Sequence, residues 1–311
     1  MARLVTLGMV NVIYHADATL AQRRANLLRL VESAGRASCQ VVVLPEFADH
    51  HRTVESLAAH KKGLAEYVAA VSFQPDDPWL CKLAGLAREH HMVVIPDVLL
   101  SAGKNKGYNR ALVYGPEGTL LGHYDKTHLA PGEDRYLIQG ETVQPVATPF
   151  GKLGLLICYD INFPELTRSY ELQGAEMLLW TTMRQGEHED ALYRLLLPAR
   201  ALEHRLPLAV ATYADFYDRP KCRPMTSAVF SPAGFMIAGG LTTEGVVRAT
   251  VDLDERPLTR RFWDKTEWVD QGRYLRRSRR PDLYGALVKP VPANEADLAQ
   301  EPTAAEYPEL A

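Results

Sequence analysis

Short runs made almost wholly of apolar residues recur along the chain, at Val41–Leu44, Met92–Leu100, Leu153–Cys158, Met177–Trp180 and Leu208–Thr212. A strand with one wet face alternates apolar and polar residues; a strand without that alternation has to be covered on both faces. Helix-length segments lie between these runs. Residues 18–34 place Leu20, Leu27, Leu28, Leu30 and Val31 near one helical face, and Pro78–His91, Pro164–Gln173 and Glu189–Arg205 read as further helices. Pro78 is acceptable in a first turn, where its missing N–H costs nothing. Residues 3–13 open the chain as a strand and Val246–Leu253 form the last core strand. Buried strands interleaved with helices imply a layered α/β domain.

Two β-hairpins interrupt this alternation. One runs from Ala111–Tyr114 through GPEG to Thr119–Tyr124, the other from Ser227–Phe230 through SPAG to Phe235–Ala238. Proline and glycine punctuate both. The similar loops YGPEG and FSPAG hint at two related sheet halves. The 311 residues contain no Gly/Ser-rich linker and no long repeat. Residues 1–255 therefore read as one domain. From residue 256 onward, arginines (Arg260, Arg261, Arg273, Arg276, Arg277, Arg279, Arg280) interleave with Phe262, Trp263, Trp268 and Tyr274. This extension, 256–311, reads as a segment that packs on a partner subunit through Arg and aromatic anchors. Its acid- and proline-rich end reads as mobile.

Several function classes are disfavoured. A net charge of −3 gives no global attraction to nucleic acid or to an anionic membrane, and Asp264, Glu267 and Asp270 dilute the basic tail. No run approaches the ~18 apolar residues of a membrane span. The opening apolar stretch breaks at Asn11 and reads as a strand rather than a leader. Cys39, Cys81, Cys158 and Cys222 lack CxxC spacing and read as free thiols in a reducing compartment, so a cytoplasmic location is expected. The pairs His50–His51 and His90–His91 lack metal-ligand spacing, and no metal is expected.

Three local patterns carry chemistry. In VVVLPEF, Glu46 follows a buried strand, and ligands of α/β sheets bind beyond strand carboxyl ends. In HYDKTHLAPGED, Lys126 follows a hairpin strand, with Glu133 and Asp134 just beyond. In GLLICYDINFPE, Cys158 ends an apolar strand and opens a turn, so the N–H of Tyr159 is free to face an oxyanion. Singly, each has an ordinary reading too: a loop glutamate, a surface lysine, a buried structural cysteine.

As an ordered set, LPEF, YDKTHL and CYDINFPE resemble the nitrilase, or carbon–nitrogen hydrolase, superfamily over roughly residues 3–255. The resemblance implies a four-layer αββα sandwich of two stacked mixed sheets flanked by helices, and at least a homodimer. It implies Glu46 as base, Lys126 as charge stabiliser and Cys158 as nucleophile, with Glu133 supporting, and it requires neither metal nor organic cofactor. Arg200 and Glu203 in PARALEHR match a supporting motif, whose last position here is His204. The form CYDINFPE is similar to the amidase branches. A small primary amide is the preferred substrate, with an N-carbamoyl-amine or N-carbamoyl-amino acid as the alternative and a catalytically silent scaffold as the reading from another class. Trp180, Tyr213 and Phe216 are candidates to line the pocket or to fill the core. Arg184 is a candidate partner for a substrate carboxylate, or a solvated loop residue.

Overall fold

The computed structural model describes residues 2–13, 18–47, 49, 72–103, 106–183, 192–215, 226–255, 258–260 and 268–289. The chain runs β1 (Leu4–Ile13), α1 (Leu20–Arg36), β2 (Val41–Val43), α2 (Pro78–Glu89), β3 (Val93–Ile95), β4 (Asp97–Ser101), β5 (Gly107–Tyr114) and β6 (Leu120–Asp125). It continues through β7 (Val146–Thr148), β8 (Gly151–Ile157), α3 (Pro164–Leu172), β9 (Met177–Thr181), α4 (Leu197–His204), β10 (Leu208–Asp215), β11 (Ala228–Phe230), β12 (Met236–Ala238) and β13 (Gly245–Asp252).

The apolar β2 run explains the layering. Successive strand side chains point to opposite faces. Val41 and Val43 join Leu153, Leu155, Met177 and Leu179 of the second half in one core, whereas Val42 and Leu44 meet Leu27, Leu30 and Val31 of α1 and Leu80 and Leu83 of α2. Both faces of the first sheet are therefore covered, one by helices and one by the other sheet. The second sheet is covered on its outer face by Leu166 and Tyr170 of α3 and Leu197 and Ala201 of α4. The expected αββα order is the observed one.

The two sheets meet at β1. One edge of β1 pairs with β2 in parallel; the other pairs with antiparallel β13 from Leu4 to Asn11 and with parallel β10 from Asn11 to Ile13. The first half is built from β1 to β6 with β13, and the second from β7 to β12. At the point of divergence sits Asn11, the residue that interrupts the apolar opening strand. Its Nδ2 donates to the carbonyls of Leu241 and Thr243, both at 2.8 Å, and its Oδ1 accepts from the Ser227 N–H at 2.9 Å. An amide suits this place because it both donates and accepts, as an interior polar group must to offset its desolvation.

Two elements differ from the sequence reading. The strand expected over Met92–Leu100 is two strands, because Pro96 has no N–H for the ladder. The described part of the expected helix Glu189–Arg205 begins as a π-type turn, Leu192–Leu196, before α4. The stretch 1–255 lies inside a larger compact unit that extends to Gly272 and includes a ribbon of β14 (Leu258–Arg260) and β15 (Trp268–Asp270). Residues 273–311 form a second unit, in which two short 3-10 turns, Pro281–Leu283 and Gly285–Val288, are exposed. The two hairpin loops are alike in space as well. Gly118 and Gly234 both have positive φ, and a Cβ on either would stand 2.9 Å from a helix carbonyl, that of Ala84 or of Pro198.

Replacing Asn11 with leucine leaves the buried Ser227 N–H unpaired at a cost of about 1–3 kcal/mol, while the Leu241 and Thr243 carbonyls lie nearer solvent. Asn11→Leu should therefore lower unfolding stability by at least ~1 kcal/mol in urea titrations. A loss below about 1 kcal/mol would show that this amide does not join the sheets.

Candidate active site

Glu46 stands just after β2, on a turn that the sheet fixes through the Leu44 N–H to the Ile95 carbonyl at 3.0 Å. Its carboxylate is fully buried. Oε1 accepts from Asn109 Nδ2 at 2.8 Å and lies 3.5 Å from Lys126 Nζ, while Oε2 accepts from the Met183 N–H at 2.8 Å. Tyr213 donates its hydroxyl to the Glu46 and Phe47 carbonyls at 3.2 and 3.1 Å, so it braces the glutamate turn.

Lys126 follows β6, with its ammonium buried. Nζ donates to Glu133 Oε1 and Oε2 at 2.9 and 2.7 Å, and Glu133 Oε2 also accepts from the Ala130 N–H at 2.7 Å. Glu133 begins a 3-10 turn, Glu133–Arg135, whose preceding Gly132 has φ +84°. One ammonium thus lies between two carboxylates.

Cys158 leaves β8 at a left-handed φ of +49°, a conformation that costs a non-glycine residue about 1–2 kcal/mol and persists only when its surroundings impose it. Trp180 Nε1 donates to the Cys158 carbonyl at 3.0 Å, so this tryptophan holds the cysteine backbone. The 3-10 turn Cys158–Asn162 follows, and its leading N–H groups, that of Tyr159 among them, precede the first intrahelical bond.

Asp160 fastens this turn to the lysine loop. Its Oδ2 accepts from the Ile157 N–H at 2.9 Å and from Tyr124 at 2.8 Å; its Oδ1 accepts from the His128 N–H at 3.0 Å, lies 2.8 Å from His128 Nδ1, and accepts from Thr127 at 3.3 Å. Arg200 of α4 donates to the Ile161 carbonyl at 3.2 Å and pairs with Glu203 at 3.2 Å. His204, where the supporting motif departs from its usual form, bonds Thr167 at 2.7 Å. Burial, with Arg168 and Arg200 nearby, pushes its pKa down to about 3, so it is neutral.

The electrostatics fix the resting protons. Burial pushes the Cys158 thiol up, Glu46 pushes it further, and Lys126 only partly offsets them. Burial disfavours the Lys126 ammonium, yet the acidic groups around it, Cys158, Glu46 and Glu133, together hold it well above the ordinary lysine range. Burial raises Glu133, and repulsion from Glu46 prevents Lys126 from reversing that. At rest the thiol and the ammonium are the favoured forms, and sulfur loses its proton only if a neighbour accepts it.

The three motif residues and Glu133 therefore converge, while Trp180 and Tyr213 are occupied with backbone carbonyls behind them. Arg184, Phe216 and His50–His51 lie outside the described residues. Among those described, no group of three or more His, Cys, Asp or Glu is arranged for a metal. Reading the sequence missed Asn109, the Met183 N–H and the clamp role of Asp160. Asparagine is depleted in strands, so a lone Asn in β5 was a usable signal; a backbone N–H leaves none.

Asp97 was missed too. It is buried at the start of β4 and accepts from Thr181, while Oδ1 has no partner among the described residues. Burial and then Glu46 raise its pKa well above the carboxylate range. The folded protein keeps this proton above pH ~4, where the unfolded chain has released it, so stability falls as pH rises. Asp97→Asn should remove that slope. From pH 5 to 7 the wild type should lose up to about 1.4 kcal/mol per pH unit relative to the variant. Parallel stability curves for the two proteins would refute this protonation state.

Comparison with known proteins agrees with the geometry. Residues 5–261 match the family model for carbon-nitrogen hydrolase. The chain is 30% identical to the omega-amidase NIT2 of Xenopus tropicalis, over 84% of this chain and 90% of that protein. It is 28% identical to the N-carbamoylputrescine amidase of Solanum lycopersicum, over 92% and 95% of the respective chains. Its fold is similar to the crystal structure of a carbon-nitrogen hydrolase from Helicobacter pylori, with a TM-score of 0.75, 22% identity, and coverage of 93% of this chain and 99% of that one. With a matched family model spanning most of its length and relatives named as amidases, this chain belongs to the carbon–nitrogen hydrolase family.

Proposed function

We propose that the protein hydrolyses a small primary amide to a carboxylic acid and ammonia through a thioester on Cys158. The observation that carries this reading is the gathering of the buried Cys158 thiol, Glu46 and the Lys126 ammonium in one charged cluster, with Lys126 Nζ 3.5 Å from Glu46 Oε1. Glu46 accepts the thiol proton as sulfur bonds to the carbonyl carbon. Adding a third negative charge beside Glu46 and Glu133 is unfavourable, so proton transfer accompanies attack rather than preceding it. The charge that develops on the carbonyl oxygen faces the Lys126 ammonium and the Tyr159 N–H. Glu46 then gives its proton to nitrogen, the carbon–nitrogen bond breaks and ammonia leaves. Water enters, Glu46 takes its proton, hydroxide adds to the thioester, and the carbon–sulfur bond breaks as the proton returns to sulfur.

A second reading, hydrolysis of an N-carbamoyl-amine, is favoured by the tomato relative, which is named for that substrate class. It differs in products: carbon dioxide would accompany ammonia and the free amine.

Cys158→Ala should abolish turnover with the fold intact. Lys126→Ala removes an oxyanion donor worth about 2.7–4 kcal/mol and should cost at least roughly a hundredfold in kcat. Glu46→Gln should be comparably impaired. A screen of primary amides and N-carbamoyl compounds, read by ammonia and carbon dioxide release, decides between the two substrates. Full activity of Cys158→Ala on any of them would end the thioester mechanism.

A further inference from the structure

Tyr136 follows the 3-10 turn that carries Glu133. Its own N–H donates to the Glu133 carbonyl at 3.0 Å, and its carbonyl accepts from the Gly107 N–H at 3.1 Å, so the residue is held at both ends. The ring is 5% exposed and packs with Phe47, Leu99 and Leu137, with Leu129 and Met183 beside it. Phe47 adjoins Glu46 in sequence, and Met183 supplies the N–H that holds Glu46 Oε2. The phenol lies within electrostatic reach of Glu133, Lys126, Glu46 and Cys158 together. Yet its hydroxyl, fully buried, has no hydrogen-bond partner among the described residues. A buried hydroxyl left unpaired costs free energy, and such a cost at a reaction site is recovered when a ligand supplies the missing bond.

Counting acceptors shows what that ligand must bring. A carboxylate oxygen accepts about two hydrogen bonds. Glu46 Oε1 is taken by Asn109 and Lys126, and Oε2 accepts from the Met183 N–H, with the Cys158 thiol in the same cluster. Glu133 Oε2 is taken by Lys126 and the Ala130 N–H, leaving capacity only on Oε1. A carboxamide nitrogen carries two N–H donors and needs two acceptors. Glu133 Oε1 supplies one; the Tyr136 oxygen is an open one near the same four groups, as is Asn109 Oδ1 beside Glu46, both without a partner among the described residues. We propose that Tyr136 is a substrate-positioning residue whose hydroxyl oxygen accepts an N–H of the scissile carboxamide. This assignment rests on the amide-hydrolysis reading above.

The phenol therefore discriminates by leaving group: it serves a primary amide and has nothing to accept from an ester. The test is Tyr136→Phe, which deletes one oxygen and keeps the ring. The variant should lose roughly tenfold in kcat/KM on a primary amide such as butyramide, the scale of one hydrogen bond. It should keep the wild-type value on the corresponding ethyl ester. Its Tm should be unchanged or higher, because no internal bond is lost. The butyramide concentration that half-protects Cys158 from alkylation should rise by a similar factor. Equal losses on amide and ester, no loss on the amide, or a lowered Tm with unchanged amide kinetics would each overturn the inference. A wild type that cleaves the ester but neither cleaves nor is protected by any primary amide would overturn the amide reading itself, and this assignment with it.

Discussion

The site depends above all on the buried carboxylate of Asp160. It accepts from the backbone on one side of the cysteine and from both backbone and side chains of the loop that follows the lysine. An ionised carboxylate is acceptor-only and can satisfy several converging donors at once, which no neutral side chain of similar size does. Its ring of donors offsets the desolvation of a buried charge and, in the same act, fixes the distance between two loops that come from different sheets. The positive φ of Cys158 is tolerated because that lattice, with the Trp180 indole on the Cys158 carbonyl, leaves the turn no cheaper alternative.

A second constraint is charge balance. Three acidic groups and one ammonium share a buried site, so the site has two cations fewer than it would need to balance thiolate and both carboxylates together. That shortage favours a protonated sulfur at rest, which is why the proposed reaction gives Glu46 the thiol proton. Asp97 extends the same logic outward: a further ionised carboxylate beside Glu46 would be prohibitive, and burial keeps it neutral. Lys126 is consequently held by its neighbours as much as it holds them, and its ammonium is the fixed point around which the other protons move.

Much of this was legible because strands and motifs are local. The unalternating β2, β8 and β9 runs announced two-sided burial, and the glycine turns announced the hairpins. Glu46 and Cys158 were marked by sitting where apolar strands end, and Lys126 by following a strand of the hairpin. The split at Pro96 followed from the missing N–H and was available to a stricter reading of that run. The supporting groups were less visible. Asn109, Asp97 and Tyr136 sit in ordinary-looking contexts, and their roles come from neighbours up to more than sixty positions away. Trp180 and Tyr213 were visible as large aromatics near strand ends, but only coordinates showed their polar atoms bonded to backbone carbonyls.

The sequence by itself determined the layered α/β class, the strand and helix order, and the residues fit to attack, stabilise charge and carry a proton. Those properties reside in side-chain chemistry and in periodicities of two and 3.6, which a chain displays without folding. Tertiary structure alone decided which carboxylate oxygens remain open, where protons rest, and which buried hydroxyl waits for a partner. These depend on desolvation and on donors and acceptors brought together from distant segments, and no local stretch of the chain encodes them.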